Sequence, residues 1–469
     1  MNNKRHLLVG NGINIQFGGN AYSSKFILKR IKYNCRIEKY SELFAGKVTG
    51  EDLETVFDGL VDIANEIIDK KFTNIVNDNL LEATEDFQSR YREKVKCLDD
   101  IMLEDWLLLV EYFFIKNSDL NNIKYGLLQG IKQILLDGIY NEGKIQKVYC
   151  SMNEKVKEFL KGYYSIYSLN YDNNIDNLLG KGIYHLHGDF SVLANSENKY
   201  NVLGYMNTKD NKIVWQPERK HCYCNALLEY SGELKYGLAS KCHKSIVFVD
   251  DLLQRNEEYI TSYLLKLSQT NPQIYEELKV KLDYPELKWN TEYYFYKFEN
   301  IEGELDILGI SPNNDSHIFR LIEKNTNITK VTFYCYSEKE EKYIKEHFDN
   351  EIYECKRVQV LWESLGCVKN KNNNYKIPNK YNYIVKCYNE LFDDNVSFEQ
   401  VKSEINQMSK GRIYELYNMV EENCGANNIL LSEKDFNNDR YNMCSMAVSE
   451  GVNPTTLGVI YTLIYNKNK

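Results

Sequence analysis

The residues best suited to chemistry fall in four short clusters, three of them where an apolar run gives way to glycine and polar side chains. In open α/β sheets, ligands bind at such strand ends. The first cluster is Leu7-Leu-Val-Gly10-Asn11-Gly12-Ile-Asn14, followed by Gly18-Gly19. Glycines directly behind a strand let the backbone approach a pyrophosphate, with the following helix N-terminus favouring the anion. The same pattern is also a common structural turn. In Tyr167-Ser-Leu-Asn170-Tyr-Asp172, an amide and a carboxylate two residues apart could hold a carboxamide and a ribose hydroxyl. An Asx turn is the plainer alternative there. The third cluster, Tyr184-His185-Leu-His187-Gly188, holds two of the chain's seven histidines. One of them could act as a general base near neutral pH, or be structural. In Ile307-Leu-Gly309-Ile-Ser311-Pro-Asn-Asn-Asp315, a glycine turn precedes side chains that could receive a ribose or phosphate. A helix N-cap at Ser311 or Asn314 explains that pattern equally well.

These clusters need elements to position them. His6–Val9 reads as a buried strand ending in a tight turn. Helical periodicity then runs through 55–68, 100–114, 123–139 and 148–160, so a helical insert is expected over about 40–160. Strand-like runs return at Tyr164–Ser168, Gly182–Leu186, Ser245–Val249, Leu305–Leu308 and Val331–Cys335, with helices predicted at 257–267 and 338–348. Short apolar strands alternating with helices predict an α/β fold with a Rossmann-like, mostly parallel sheet. A polar stretch over about 191–243 predicts a loop-rich subdomain. Asn370–Tyr375 with Pro378 reads as a linker. The expected organisation is one α/β domain over 1–368 and a C-terminal helical domain over 369–469, with helices at 397–405, 412–422 and 455–465.

The chain's 469 residues exceed one ordinary domain, and its 43% hydrophobic content can bury a core. A formal net charge of −9 leaves no overall basic footprint, so nucleic acid is not indicated as a partner. The most apolar stretch, Trp106–Ile115, is about half a membrane span and contains Glu111, so no membrane association is expected. Met1–His6 lead straight into an apolar run, and the twelve cysteines show no framework spacing. A cytoplasmic protein with reduced cysteines is the expectation.

The four clusters, in this order, resemble the sirtuin-like superfamily, whose pattern runs Gly-Ala-Gly-Ile-Ser, Gln-Asn-Ile-Asp, His-Gly and a late Gly-Thr-Ser. Gly10, Gly12, Asn170, Asp172, His187, Gly188, Gly309 and Ser311 fall on matching positions. The Gly-Asn-Gly opening, with Tyr22 and Phe26 downstream, looks closer still to the abortive-infection AbiH branch and its sirtuin-like neighbours in phage defence. The resemblance spans roughly residues 5–340 and implies an NAD glycohydrolase that depletes cellular NAD on infection, with NAD as substrate. It implies a diphosphate cradle at Gly10, Asn11, Gly12 and Asn14, a nicotinamide ribose held by Asn170 and Asp172, and an adenosine half received by Gly309, Ser311 and Asp315. His187 would be the base and Asn170 would position the attacking water.

Gly18-Gly-Asn-Ala-Tyr22 replaces the Pro-Asp-Phe-Arg element of sirtuins, which weighs against protein deacylation. His221-Cys-Tyr-Cys224 and Cys242-His243 lack favoured zinc spacing, so no metal is expected. A homo-oligomer is expected, with a phage-derived trigger or a co-encoded defence protein as further partner. A non-enzymatic nucleotide sensor signalling through the C-terminal helices is one alternative, and an NAD-dependent protein deacylase or ADP-ribosyl transferase is the other.

Overall fold

The computed structural model describes residues 4–468 apart from 45, 73–76, 121–123, 192–216, 229–230, 313–314, 349–350, 368–376 and 425–436. Six strands form one sheet: β1 (Arg5–Val9), β2 (Ser165–Ser168), β3 (Tyr184–His185), β4 (Gly303–Leu308), β5 (Ile328–Cys335) and β6 (Tyr353–Arg357). Every pairing is parallel, and the spatial order is β3-β2-β1-β4-β5-β6. This is the doubly wound order of dinucleotide-binding folds, with the switch point between β1 and β4. The central strands are buried on both faces, as a parallel sheet covered by helices requires: Leu7, Leu8, Val9, Leu305 and Ile307 have no accessible surface.

α1 (Gly12–Gly18) follows β1 directly. The insert before β2 carries α2 (Ser24–Arg36), α3 (Gly50–Ile68), α4 (Asp78–Arg90), α5 (Trp106–Lys116), α6 (Lys124–Tyr140) and α7 (Glu154–Lys161). The start of α3 is fixed by a reciprocal cap in which Thr49 Oγ1 accepts from the Asp52 amide and the Asp52 carboxylate accepts from the Thr49 amide. α5 is the apolar stretch noted in the sequence; it lies at the centre of the insert, where Trp106 packs 5.0 Å from the Phe57 ring. No helix among the described residues is long and apolar enough to cross a membrane.

α8 (Asn174–Leu179) joins β2 to β3, and α9 (Gly232–Leu253), α10 (Glu257–Thr270), α11 (Pro272–Asp283) and α12 (Phe295–Phe298) precede β4. Here the structure corrects two expectations. Ser245–Val249 is not a strand but part of the 22-residue α9, with Val249 buried while Val247 and Phe248 are exposed. A short β-branched apolar run cannot be told from helix by periodicity, and the helix already running through it decides. The stretch expected to be loop-rich is helical from Gly232 onward, and 192–216 of it lies outside the described residues.

α13 (Ser316–Lys324), α14 (Glu338–His347) and α15 (Val358–Ser364) alternate with β4, β5 and β6. The expected linker at 370–375 lies outside the described residues. Beyond it, α16 (Tyr381–Phe392), α17 (Phe398–Gln407), α18 (Lys410–Cys424), α19 (Asn437–Ser449) and α20 (Pro454–Asn468) gather a second core that also takes in Phe26 and Tyr33 of α2. Tyr33 donates its hydroxyl hydrogen bond to the Phe392 carbonyl at 2.9 Å, and Lys29 pairs with Asp394 at 2.7 Å.

Candidate functional site

The first and fourth sequence clusters meet at the switch point, the second joins them through Asp172 and Asn14, and the third reaches α13, the helix after the fourth, through His187. The β1–α1 and β4–α13 turns lock together: the Gly10 amide donates to the Leu308 carbonyl at 3.0 Å, and the Gly12 amide to the Gly309 carbonyl at 2.8 Å. A side chain at Gly12 would strike the Gly309 backbone, and Gly309 itself has φ +72°. Two bare backbones are therefore required here, one for proximity and one for both proximity and handedness.

Beneath this turn, Asp172 is fully engaged. Its carboxylate accepts from the Asn14 amide at 2.6 Å, from the Asn174 side-chain amide at 2.6 Å and from the Asn174 backbone at 3.0 Å. Asn174 also donates to the Ile145 carbonyl at 2.8 Å, tying the network to residues 141–151. Burial raises the Asp172 pKa, opposed by these donors. Asp172 and Asn14 thus hold the β1 and β2 turns together. Asn11 is exposed, and its amide donates to the Tyr22 carbonyl at 2.7 Å.

Asn170 sits one turn beyond β2, buried, with its backbone amide donating to Ser168 Oγ at 3.1 Å and its carbonyl facing His185 Nδ1 at 3.2 Å. Among the described residues no other atom of Asn170 makes a hydrogen bond, which leaves its side-chain amide uncommitted there. His185 pairs with Asp176 at 3.0 Å. Burial works against its protonation, but the Asp176 carboxylate outweighs that and lifts its pKa. His185 is therefore the structural histidine of the pair.

His187 differs. It lies past β3, at 3% exposure, and its carbonyl is pinned by the Leu227 amide at 2.8 Å. Gly188, at φ +76°, packs so tightly on Asn225 that a side chain would strike its carbonyl. His187 Nε2 stands 3.3 Å from Nε2 of His317, in the first turn of α13. Burial holds both imidazoles below their ordinary range, with Lys235 adding to the effect, and His317 is pushed down to about 3. Both rings are thus neutral at physiological pH, the form that accepts a proton.

Asp315 is half-buried, and a carboxylate oxygen lies within 4.8 Å of ring nitrogens of both histidines. Burial raises its pKa to about 7, against the pull of Lys235. Lys235, from the first turn of α9, is itself buried and reaches Glu104 at 4.0 Å. Asp315 is the residue before α13 but makes no side-chain cap bond there; Ser311 is half-buried, and Asn314 lies outside the described residues. Sequence reasoning did not single out His317, Lys235 or Asn174. The one cue for His317 was its place two residues beyond Asp315 in a chain with seven histidines.

The two cysteine–histidine segments do not form a metal cluster among the described residues. His221 is held by Asp137 at 3.0 Å and stacks on Tyr140, while His243 is held by Glu292 at 2.9 Å. No family model matches the chain, and no curated protein or solved structure matches it.

Proposed function

We propose that this chain is a sirtuin-like NAD glycohydrolase, close to the AbiH branch, which acts in the cytoplasm as the effector of an abortive-infection anti-phage defence. The reading is carried by two residues just beyond the adjacent strands β2 and β3: His187, buried and held in its neutral form, and Asn170, whose side-chain amide makes no hydrogen bond among the described residues, while the glycine turns of β1 and β4 interlock in the same sheet. A dinucleotide's diphosphate is proposed to run along Gly10–Gly12, its adenosine half towards Gly309 and Ser311, and its nicotinamide ribose towards Asn170 and His187. The nicotinamide–ribose bond breaks through an oxocarbenium-like state, so positioned water and a base suffice and no covalent nucleophile is needed. Asn170 orients the water and His187 removes its proton.

The test is nicotinamide release from NAD by purified protein, without any acylated peptide. Asn170→Ala and His187→Ala should each lower turnover by about 100-fold or more while the melting temperature holds. NAD should collapse after phage challenge in cells carrying the wild type and stay level in those carrying His187→Ala. Full activity in both variants would remove these residues from the site, and turnover only with an acylated peptide would replace hydrolysis with deacylation.

A further inference from the structure

Hydrolysis of NAD leaves one proton over. The water oxygen bonds to C1′, the C1′–N bond breaks with its electron pair on the nicotinamide nitrogen, and the second water proton stays on the new hydroxyl. The first must leave the site at every turnover. His187, which is proposed to take it, is buried at 3% exposure. The base therefore needs an exit that is not direct contact with solvent.

The geometry around His187 supplies one. Its ring and that of His317 lie within 20° of coplanar, with centroids 5.5 Å apart and Nε2 atoms 3.3 Å apart. The remainder of the centroid separation is close to two imidazole radii, so the two nitrogens face each other along the line joining the rings. Such an in-line arrangement is that of an N–H···N hydrogen bond, one ring donating and the other accepting. Two lone pairs bound to a common metal ion would instead converge at an angle.

We propose that His317 is the proton-relay partner of His187, with Asp315 as the counter-charge and outlet. This rests on the glycohydrolase reading. His187 takes the water proton at Nδ1 and passes its Nε2 proton to Nε2 of His317. The positive charge is then shared by two rings beside the Asp315 carboxylate, the half-buried member through which the proton reaches solvent. The charged groups around the pair make this state short-lived. Lys235 from α9, Arg320 from α13 and Arg90 from α4 all oppose a cationic ring. Glu104 and Lys235 act on Asp315 with opposite signs, and burial leaves that carboxyl near neutrality, where it can both take and release a proton. His317 acts through His187 and is a positioning residue, not one that touches substrate.

The experiment compares wild type with His317→Gln, which keeps a hydrogen-bond donor, and Asp315→Asn, across about pH 5 to 9. In His317→Gln, kcat should fall about 100-fold with KM within about twofold, the pH profile should change shape, and added imidazole should restore part of the rate. Asp315→Asn should lose the limb of the profile near pH 7. Unchanged kcat and pH profile in a folded His317→Gln would overturn the relay while leaving the glycohydrolase reading standing. If the wild type releases no nicotinamide, that reading fails, and the relay is judged separately from ring-nitrogen NMR. A shared N–H with coupling between the two Nε2 atoms supports it, and two uncoupled rings overturn it. Activity lost to a chelator and restored by zinc would also overturn it, assigning the three groups to a cation.

Discussion

Gly309 stands with φ +72° against the backbone of Gly12, so the two turns that frame the site depend on the absence of two β-carbons. Gly309→Ala should cost about 2 kcal/mol from the left-handed backbone alone, and more from the contact with Gly12. Urea denaturation reads that loss; the proposed binding of NAD should weaken with it, since the β1 turn can no longer close on β4. At this scale the sequence was informative about glycines and less so about their neighbours. Gly10, Gly12 and Gly309 were legible because a turn that admits no β-carbon leaves few other residue types, whereas Asn170 and His187 stood out only in combination with them. Asp172 was equally visible, but the hydrogen bonds its carboxylate accepts from Asn14 and Asn174 were not, because no sequence pattern shows which donors a carboxylate will meet. His317 was missed because its partner lies 130 residues away and the hydrogen bond exists only once α13 is docked.

The helices of the insert and α9 are joined through Arg90. Its guanidinium makes two hydrogen bonds of 2.7 Å to Asp105, and it also reaches Asp86 on α4 and Ser231 at the head of α9. Asp105 is buried and the Arg90 side chain is largely covered, so the pair's worth shows when one member is removed. Arg90→Met leaves Asp105 and Asp86 without their cation, and should destabilise the protein by about 3 kcal/mol. Because α9 carries Lys235, the same change should disturb the site, and NAD turnover measured beside denaturant midpoints separates the two effects. Element identity was legible where burial is two-sided: β1 buries Leu7, Leu8 and Val9, β4 buries Leu305, Ile307 and Leu308, and β5 buries Val331, Phe333 and Cys335. β6 was overlooked because Tyr353-Glu-Cys-Lys-Arg357 buries only its tyrosine, having a single neighbour in the sheet. The run Ser245–Val249 misled in the opposite direction, being apolar without being deeply buried.

Across the whole molecule, the C-terminal helices are fastened to the rest through α2. Arg30 of that helix is buried and donates to the carbonyls of Ala21 at 2.6 Å, Gly138 at 2.5 Å and Val448 at 3.3 Å, one contact in each of three parts of the chain. Arg30→Met would strand those carbonyls and should cost about 3 kcal/mol, with the C-terminal helices becoming the first part to exchange amide hydrogens. Hydrogen-exchange mass spectrometry, helix by helix, checks that order. A parallel route runs from Glu450, which binds Lys144 at 2.6 Å, through residues 141–151 to Asn174 and Asp172. The turn at the site and the last helices thus share a strut, which the sequence could not reveal because its members are more than 300 residues apart.

The ends of the sheet order carry a consequence for assembly. β3 pairs over only two residues, Tyr184 and His185, and offers almost no backbone for another chain to copy. At the far end, β6 presents Glu354, Lys356 and Arg357, with Glu354 already paired to Lys330 at 2.6 Å and to Lys356 at 3.4 Å. A stub on one side and a charged margin on the other are the ways natural sheets discourage strand-to-strand docking and fibre growth. Copies of this chain that meet in a crowded cell are left with helical faces as their means of recognising one another, and the sheet stays a private scaffold for the site at its switch point.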